Sequence, residues 1–235
     1  MINFKMPKGR QTIRKHGGRH TRLWELAGSS IPAVQRLEVV YLDGHGAMDR
    51  TEARHAANKA DKRLTQDGVR DDLLKFVLND VVPALHRGRT EIKKARMEVA
   101  ERRSKLKIEA PDKTDFAAAF RRTEIRARLY DMKPDDQAKY FAEYGDNLPT
   151  EIAQAVIELP PEYSRVPKSR HDRLTERALD AQHHDAIAEI KEIEQAIEAA
   201  ASTVEAARDE VRLEVGIHDP AKFDELAAPI EAKQA

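Results

Sequence analysis

Apolar side chains recur at helical spacing along most of the chain, in narrow stripes that prolines and glycines cut into segments of unequal length. Val69, Leu73, Phe76, Val77 and Leu85 mark one such stripe. Pro83 falls inside it, and should kink or divide the helix. Beyond it Leu85, Ile92, Val99 and Leu106 recur every seven residues, with Gly88, Ala95 and Arg102 at the second seam position. Toward the C-terminus Ile190, Ile197, Val204 and Val211 repeat in the same way, paired with Ala186, Ile193, Ala200 and Ala207. Seven-residue repeats of this kind predict coiled-coil arms. The first arm, "RTEIKKARMEVAERRSKLK", is basic and the second, "EIKEIEQAIEAAASTVEAARDEVRLEV", is acidic. They are natural partners for an antiparallel hairpin. Pairing of each arm with another chain is the alternative. Gly216 reads as a helix stop, and Asp219-Pro220 as a fresh cap and first turn. The short helix that follows should fold back through Phe223 and Leu226.

Prolines punctuate the middle. Asp112 can cap a helix that carries Asp115 in its first turn, with Ala118, Ile125, Leu129 and Met132 on one face. Pro134 opens a second helix that Gly145 closes. Pro149 and Pro160-Pro161 bracket a third, on which Ile152, Val156 and Leu159 form one stripe widened by Ala153 and Ile157. A helix of about three turns is not stable alone. Its apolar stripe must therefore meet something: neighbouring helices in a small core, or another protein for which Ile152, Val156 and Leu159 would form a docking face.

The N-terminal stretch behaves differently. Residues 1–22 carry seven basic residues and no acid, interrupted by Gly9, Gly17 and Gly18. This pattern predicts an extended arm. Lys5, Lys8, Arg10, Arg14, Lys15, Arg19 and Arg22 would meet an acidic protein surface or a phosphate backbone, with Trp24 as an anchor. Residues 37–46, "LEVVYLDGHG", have the best strand content, and a polar helix is expected over residues 47–64. The formal net charge of zero hides an asymmetry. Residues 1–110 carry 24 basic against 14 acidic side chains, and residues 111–235 carry 17 against 27. Such a dipole favours association with charged neighbours. Aromatic residues make up only 5% of the chain and charged ones 35%, which suits long helices better than a large core.

Candidate chemistry is sparse. The chain has no cysteine, hence no disulfide framework and no thiolate metal site. His183-His184-Asp185 is the most metal-like group. Adjacent helical side chains diverge by about 100°, however, and Asp180 adds only one well-spaced ligand. His45 stands alone between glycines. No phosphate loop, dinucleotide fingerprint, zinc-protease pattern or nucleophile elbow occurs. The reading is of a non-enzyme with no catalytic residue, no cofactor, no metal and no membrane span.

The order "RRTEIRARLYDMKPDD" followed by "AEYGDNLPTEIAQAVIELPPEYSRV" resembles a segment of poorly characterised proteins from tailed-phage and prophage structural regions. There an Arg-x-Glu-x-Arg helix precedes an alanine-rich helix ending in proline. The matching residues are Arg122, Glu124, Arg126, Leu129, Ala153, Ala155, Val156 and Pro160, within about residues 115–180. The family pattern closes on Ala-Pro-Ala, where this chain has Leu159-Pro160-Pro161. The resemblance implies a virion or virion-assembly context, in the particle or in host cytoplasm during assembly, and no assigned chemistry. The expected architecture is mainly α: an elongated helical hairpin or coiled coil, a small helical tip domain and an extended basic arm. The segments are 1–46 (arm with a short strand), 47–110 (helices into the first arm), 111–180 (small helical domain), 181–216 (second arm) and 217–235 (short helix and tail). The expected role is a structural component, capsid-associated, in the neck or another minor position, that binds other structural proteins and self-associates. An assembly scaffold and a non-specific nucleic-acid-binding protein are the alternatives.

Overall fold

The computed structural model describes residues 15–16, 19–112, 114–145 and 148–233, with side chains from residue 21 onward. Two units divide the chain: Met1–Arg103 with Ala188–Ala235, and Ser104–Ile187.

In the first unit Lys15–His16 (β1) pairs antiparallel with Arg19–His20 (β2), Lys15 opposite His20. The first helix, α1, runs over Pro32–Ala60, opened by Pro32 at its first position. It absorbs both the strand expected at 37–46 and most of the polar helix expected at 47–64. The correction has a packing cause. Val34, Leu37, Tyr41, Gly44, Met48 and Thr51 are all buried, at spacings of three and four. A single helix face can bury that set and a strand cannot, so tertiary contact overrides the β preference of Val39-Val40-Tyr41.

Helix α2 (Gln66–Phe76) passes through a π turn at Val77–Val81 into α3 (Val82–Lys105). Pro83 lacks an N–H and crowds the carbonyl of residue 79. The wider turn, in which the Val82 N–H reaches the Val77 carbonyl, accommodates it. The last long helix, α8 (His184–Glu214), ends at Gly216, whose φ is +74°. The Gly216 N–H reaches the Leu213 carbonyl and the Ile217 N–H reaches the Arg212 carbonyl. A residue with a Cβ takes this left-handed position less readily. Helix α9 (Pro220–Glu231) is capped by Asp219, whose carboxylate accepts from the Ala221 N–H at 3.0 Å. Asp219→Ala should lower stability by about 1 kcal/mol, read as loss of amide protection confined to α9. In α9, Phe223 and Ala227 are buried, while Leu226 is left 38% exposed, against the expectation that it would fold inward.

The elongated two-helix hairpin is not what forms. The seams do meet within the chain, antiparallel: Gly88 lies against Val204, and Arg103 pairs with Glu194. But α1 packs on the same seam. Gly88 also faces Val40, Gly44 faces Thr203, and Arg36 bonds Glu98 at 2.6 Å. Helix α9 also reaches α8 and α3, where Glu231 takes Arg208 at 2.7 Å and lies 3.8 Å from Arg89 and His86. This unit is a compact helical bundle. On α8 the buried set extends past the heptad positions to Ala196, Ala199 and Thr203. A two-stranded coil would leave those in water. Leu106 departs from the seam altogether: α3 ends at Lys105, and Leu106 belongs to the second unit.

The second unit holds α4 (Phe116–Asp131), α5 (Pro134–Tyr144), α6 (Thr150–Ile157), a 3-10 turn at Pro161–Tyr163 and α7 (Lys168–Gln182). The cap of α4 is Asp115, not Asp112. The Asp115 carboxylate accepts from the Ala118 N–H at 2.9 Å, while Asp112 turns the chain locally through Thr114. Leu129, Phe141, Ile152, Val156, Val166 and Leu174 form the core. Buried Gln137 donates to the carbonyls of Leu129 and Ser164, at 3.0 and 3.1 Å, tying the end of α4 to the turn after α6.

Candidate docking cleft

The eight-residue α6 is held on two sides. Its inward face, Ile152, Ala155 and Val156, is buried in the core of the second unit. Two arginines of α4 grip its C-terminal end. Arg126 donates to Glu158 at 2.6 Å and lies 3.4 Å from the Ala155 carbonyl; Arg122, itself 5% exposed, donates to Glu158 at 3.1 Å. Burial raises the Glu158 pKa, but the hydrogen bonds from Arg126 and Arg122 outweigh it, and the net position is below the usual carboxylate value. So a helix too short to persist alone is fixed by a core and an ion-paired end.

Of the two readings of the α6 stripe, a small core or a docking face, burial of Ile152 and Val156 agrees with the core. Ile152 and Val156 point into the core, and Leu159 is half-buried with its carbonyl facing the His171 ring nitrogen at 3.3 Å. The accessible side is the next one round the helix. Ala153 and Ile157 line a cleft of about 630 Å³, together with Leu174 and Ala178 of α7, Ile108 and Leu148. The third wall is the segment 107–111. It is laid against the end of α7 by the Glu109 N–H, which donates to the Gln182 side chain at 2.9 Å, and by the His183 ring, bonded to the Lys107 carbonyl at 2.9 Å. The small side chains Ala153, Ala178 and Ala181 leave the width. Gln154, Arg177, Gln182 and Glu158 supply the polar margin. A mostly apolar concavity of this size with a few polar groups has the make-up of ligand-binding clefts.

A second apolar feature lies on the outer side of α4. Phe116 is 80% exposed and Phe120 66%. At a spacing of four they form one ridge, which Glu124 extends by another turn. This ridge lies opposite the Arg122, Ile125 and Leu129 face.

The other candidates fall in different places. Lys5, Lys8, Arg10 and Arg14 lie outside the described residues. Lys15 and Arg19 sit in the β1–β2 ladder. Arg22 is taken by the first unit itself: its guanidinium pairs with Glu198, and its N–H donates to Ser202 at 2.9 Å. Trp24 is buried against Tyr41, ring centres 5.3 Å apart, so its anchoring contact is internal. Leu85, Ile92, Val99, Ile190, Ile197, Val204 and Val211 are buried inside the first unit and present no seam to another chain. His45 is buried edge-on to Tyr41. Among the described residues no group of three or more His, Asp or Glu side chains is arranged to hold a metal ion, and no helix is long and apolar enough to cross a membrane.

The residues missed in the sequence had readable signals. Leu174, Ala178 and Ala181 follow one another at four and three residues, a small-residue face on a charged helix. Phe116 and Phe120 stand about half a turn away from the stripe Ala118, Ile125, Leu129. No family model matches the chain, and neither curated proteins nor solved structures return a match to it.

Proposed function

We propose that the protein is a structural component of a phage-like particle, joined to other structural proteins through apolar surface on its second unit. The observation that carries this reading is the pairing, within one small unit, of an apolar cleft with two phenylalanines left in water. Scattered exposed apolar side chains need no explanation, but a concave site together with a projecting aromatic ridge marks a contact surface. The resemblance to phage structural-region proteins covers the same unit and supports the reading. A nucleic-acid track along the arm would have to do without Arg22, whose charge Glu198 already meets.

Mass spectrometry of purified particles from the host of the gene tests this. The protein should be present at constant stoichiometry, and Phe116→Ser with Phe120→Ser should lower its incorporation severalfold at unchanged cellular abundance. Presence in immature particles alone would make it a scaffold. Absence from both would overturn the reading.

A further inference from the structure

The cleft and the ridge are two halves of a contact that the second unit does not make within itself. Phe116 and Phe120 project from α4 into solvent, and neither lines the cleft. Their dimensions agree. From Phe116 to Glu124 the ridge spans eight residue steps, about 12 Å of helix. Leu174 to Ala181, the α7 wall of the cleft, spans seven residue steps, about 10 Å. The volume suits aromatic rings, since the wall is lined by alanine where a larger residue would fill it. The charges agree as well. The cleft margin carries Glu158, held by Arg122 and Arg126, Glu109 at the end nearest Gln182, and Arg177, whose guanidinium forms no ion pair among the described residues; Glu124, one turn beyond Phe120, likewise carries a carboxylate without one. Among the described residues, a ridge ending in a carboxylate without an ion pair thus matches a cleft with an unpaired cation at its lip.

We propose that the occupant of the cleft is the Phe116–Phe120–Glu124 ridge of a second copy of this chain, with Glu124 of one copy meeting Arg177 of the other. The two surfaces differ, so each copy offers one of each, and the pairing is isologous if reciprocal and heterologous if head to tail. Two copies either exchange ridges about a two-fold axis or pass them on in a ring or row, and a row that does not close grows with concentration. The contact is small, which places its dissociation constant on the order of 10–100 µM. It does not depend on the particle reading, since it requires only the purified chain.

Sedimentation velocity over a concentration series tests it. The wild-type chain should show a weight-average sedimentation coefficient that rises with concentration. Phe116→Ser with Phe120→Ser should abolish the rise, and Arg177→Glu should weaken association by about tenfold, each with an unchanged circular dichroism spectrum. Because ridge and cleft are separate surfaces, complementation is decisive. The double serine variant keeps its cleft, and Arg177→Glu combined with Ala178→Leu keeps its ridge. Each should be monomeric alone, and the two mixed should give a one-to-one complex and nothing larger. Exchanging the charges, Glu124→Arg with Arg177→Glu in one chain, should restore association. A wild-type chain that stays monomeric to about 500 µM, association indifferent to both variants, or a mixture that forms no complex would each overturn the proposal. If the cleft-filling variant fails to fold, Arg177→Glu alone serves as the ridge-bearing partner in the mixture.

Discussion

Gly44→Leu should strongly destabilise the first unit, while Gly46→Ala, two residues further along the same helix, should stabilise it. The difference comes from what a new Cβ would meet. At Gly44 it would lie 2.9 Å from the Thr203 methyl and 3.6 Å from the Thr203 backbone. Real Cβ atoms do not approach that closely, so something has to move. Thr203 is fully buried and its hydroxyl donates to the Ala199 carbonyl at 3.0 Å, which holds its rotamer. The methyl leaves only if that bond breaks or if α1 and α8 separate. Gly44→Ala gains roughly 1 kcal/mol of helix propensity. Against this stands an overpacking cost of about 1–3 kcal/mol, so the net effect is a loss. Leucine adds three more carbons to the same space, and a cost above about 3 kcal/mol is expected. At Gly46 the nearest atom is the end of the Arg50 side chain at 3.1 Å, which can swing into solvent. There alanine keeps the propensity gain of about 0.5–1 kcal/mol. Urea unfolding of the three variants checks the signs. Thr203→Ser should rescue Gly44→Ala by removing the methyl it strikes, giving a favourable coupling in a double-mutant cycle. Equal stability of Gly44→Ala and Gly46→Ala would show that α1 does not approach α8 as closely as described.

The same glycines show how much of the fold was legible in the sequence alone. Helical periodicity located α3, α8, α4 and α6, because a period near 3.6 depends only on which face is dry, while proline, glycine and cap signals marked α5 and α9. It could not count the neighbours. Leu85, Ile92 and Val99 repeat every seven residues whether one helix or three share the seam. The residue that carried the missing information was Gly88, a poor choice for a two-stranded coil. It is small because Val40 and Val204 would sit 3.1 and 3.3 Å from its Cβ, so two helices press on it at once. Gly44 misled in the opposite sense. It sits inside the run read as a strand, yet it is a helical contact point. For Val39-Val40-Tyr41, β preference pointed one way and a spacing of buried residues that began upstream, at Val34, pointed the other. The cleft was half legible. That α6 must bury a face followed from its length, but Ile152 and Val156 differ from Ala153 and Ile157 only by about 100° of rotation. Which side is core and which is open was decided by Leu129, Phe141 and Leu174, residues remote in sequence.

Breaking the grip of α4 on α6 should cost the second unit about 2–3 kcal/mol, and the loss should depend on pH. Arg122 is the most buried cation of this unit, and its guanidinium ends on Glu158, beside Arg126. Removing Glu158 leaves two arginines facing each other without a counter-charge, one of them in the interior. That is the expensive way to open a partly buried ion pair, and the residual exposure of Glu158, about a quarter of its side chain, keeps the cost toward the low end. Glu158→Gln should therefore destabilise, and because the ion pair anchors the C-terminal end of α6, protection should fall first in amides 150–158. The pH dependence follows from the lowered pKa. In the unfolded chain the carboxyl titrates at its ordinary value, 4.5, and in the folded unit below that. Above the ordinary value both states are ionised and the full stabilisation is present. As pH falls through the folded value the carboxylate takes up its proton, and the contribution is lost. Acid should thus loosen α6 in the wild-type protein, and Glu158→Gln should remove that part of the acid sensitivity while lowering stability near neutrality. Hydrogen exchange at two pH values on both proteins separates this from a general acid effect. If wild type and Glu158→Gln lose α6 protection in parallel as the pH is lowered, the Arg122–Glu158–Arg126 cluster is not what fixes the wall of the cleft.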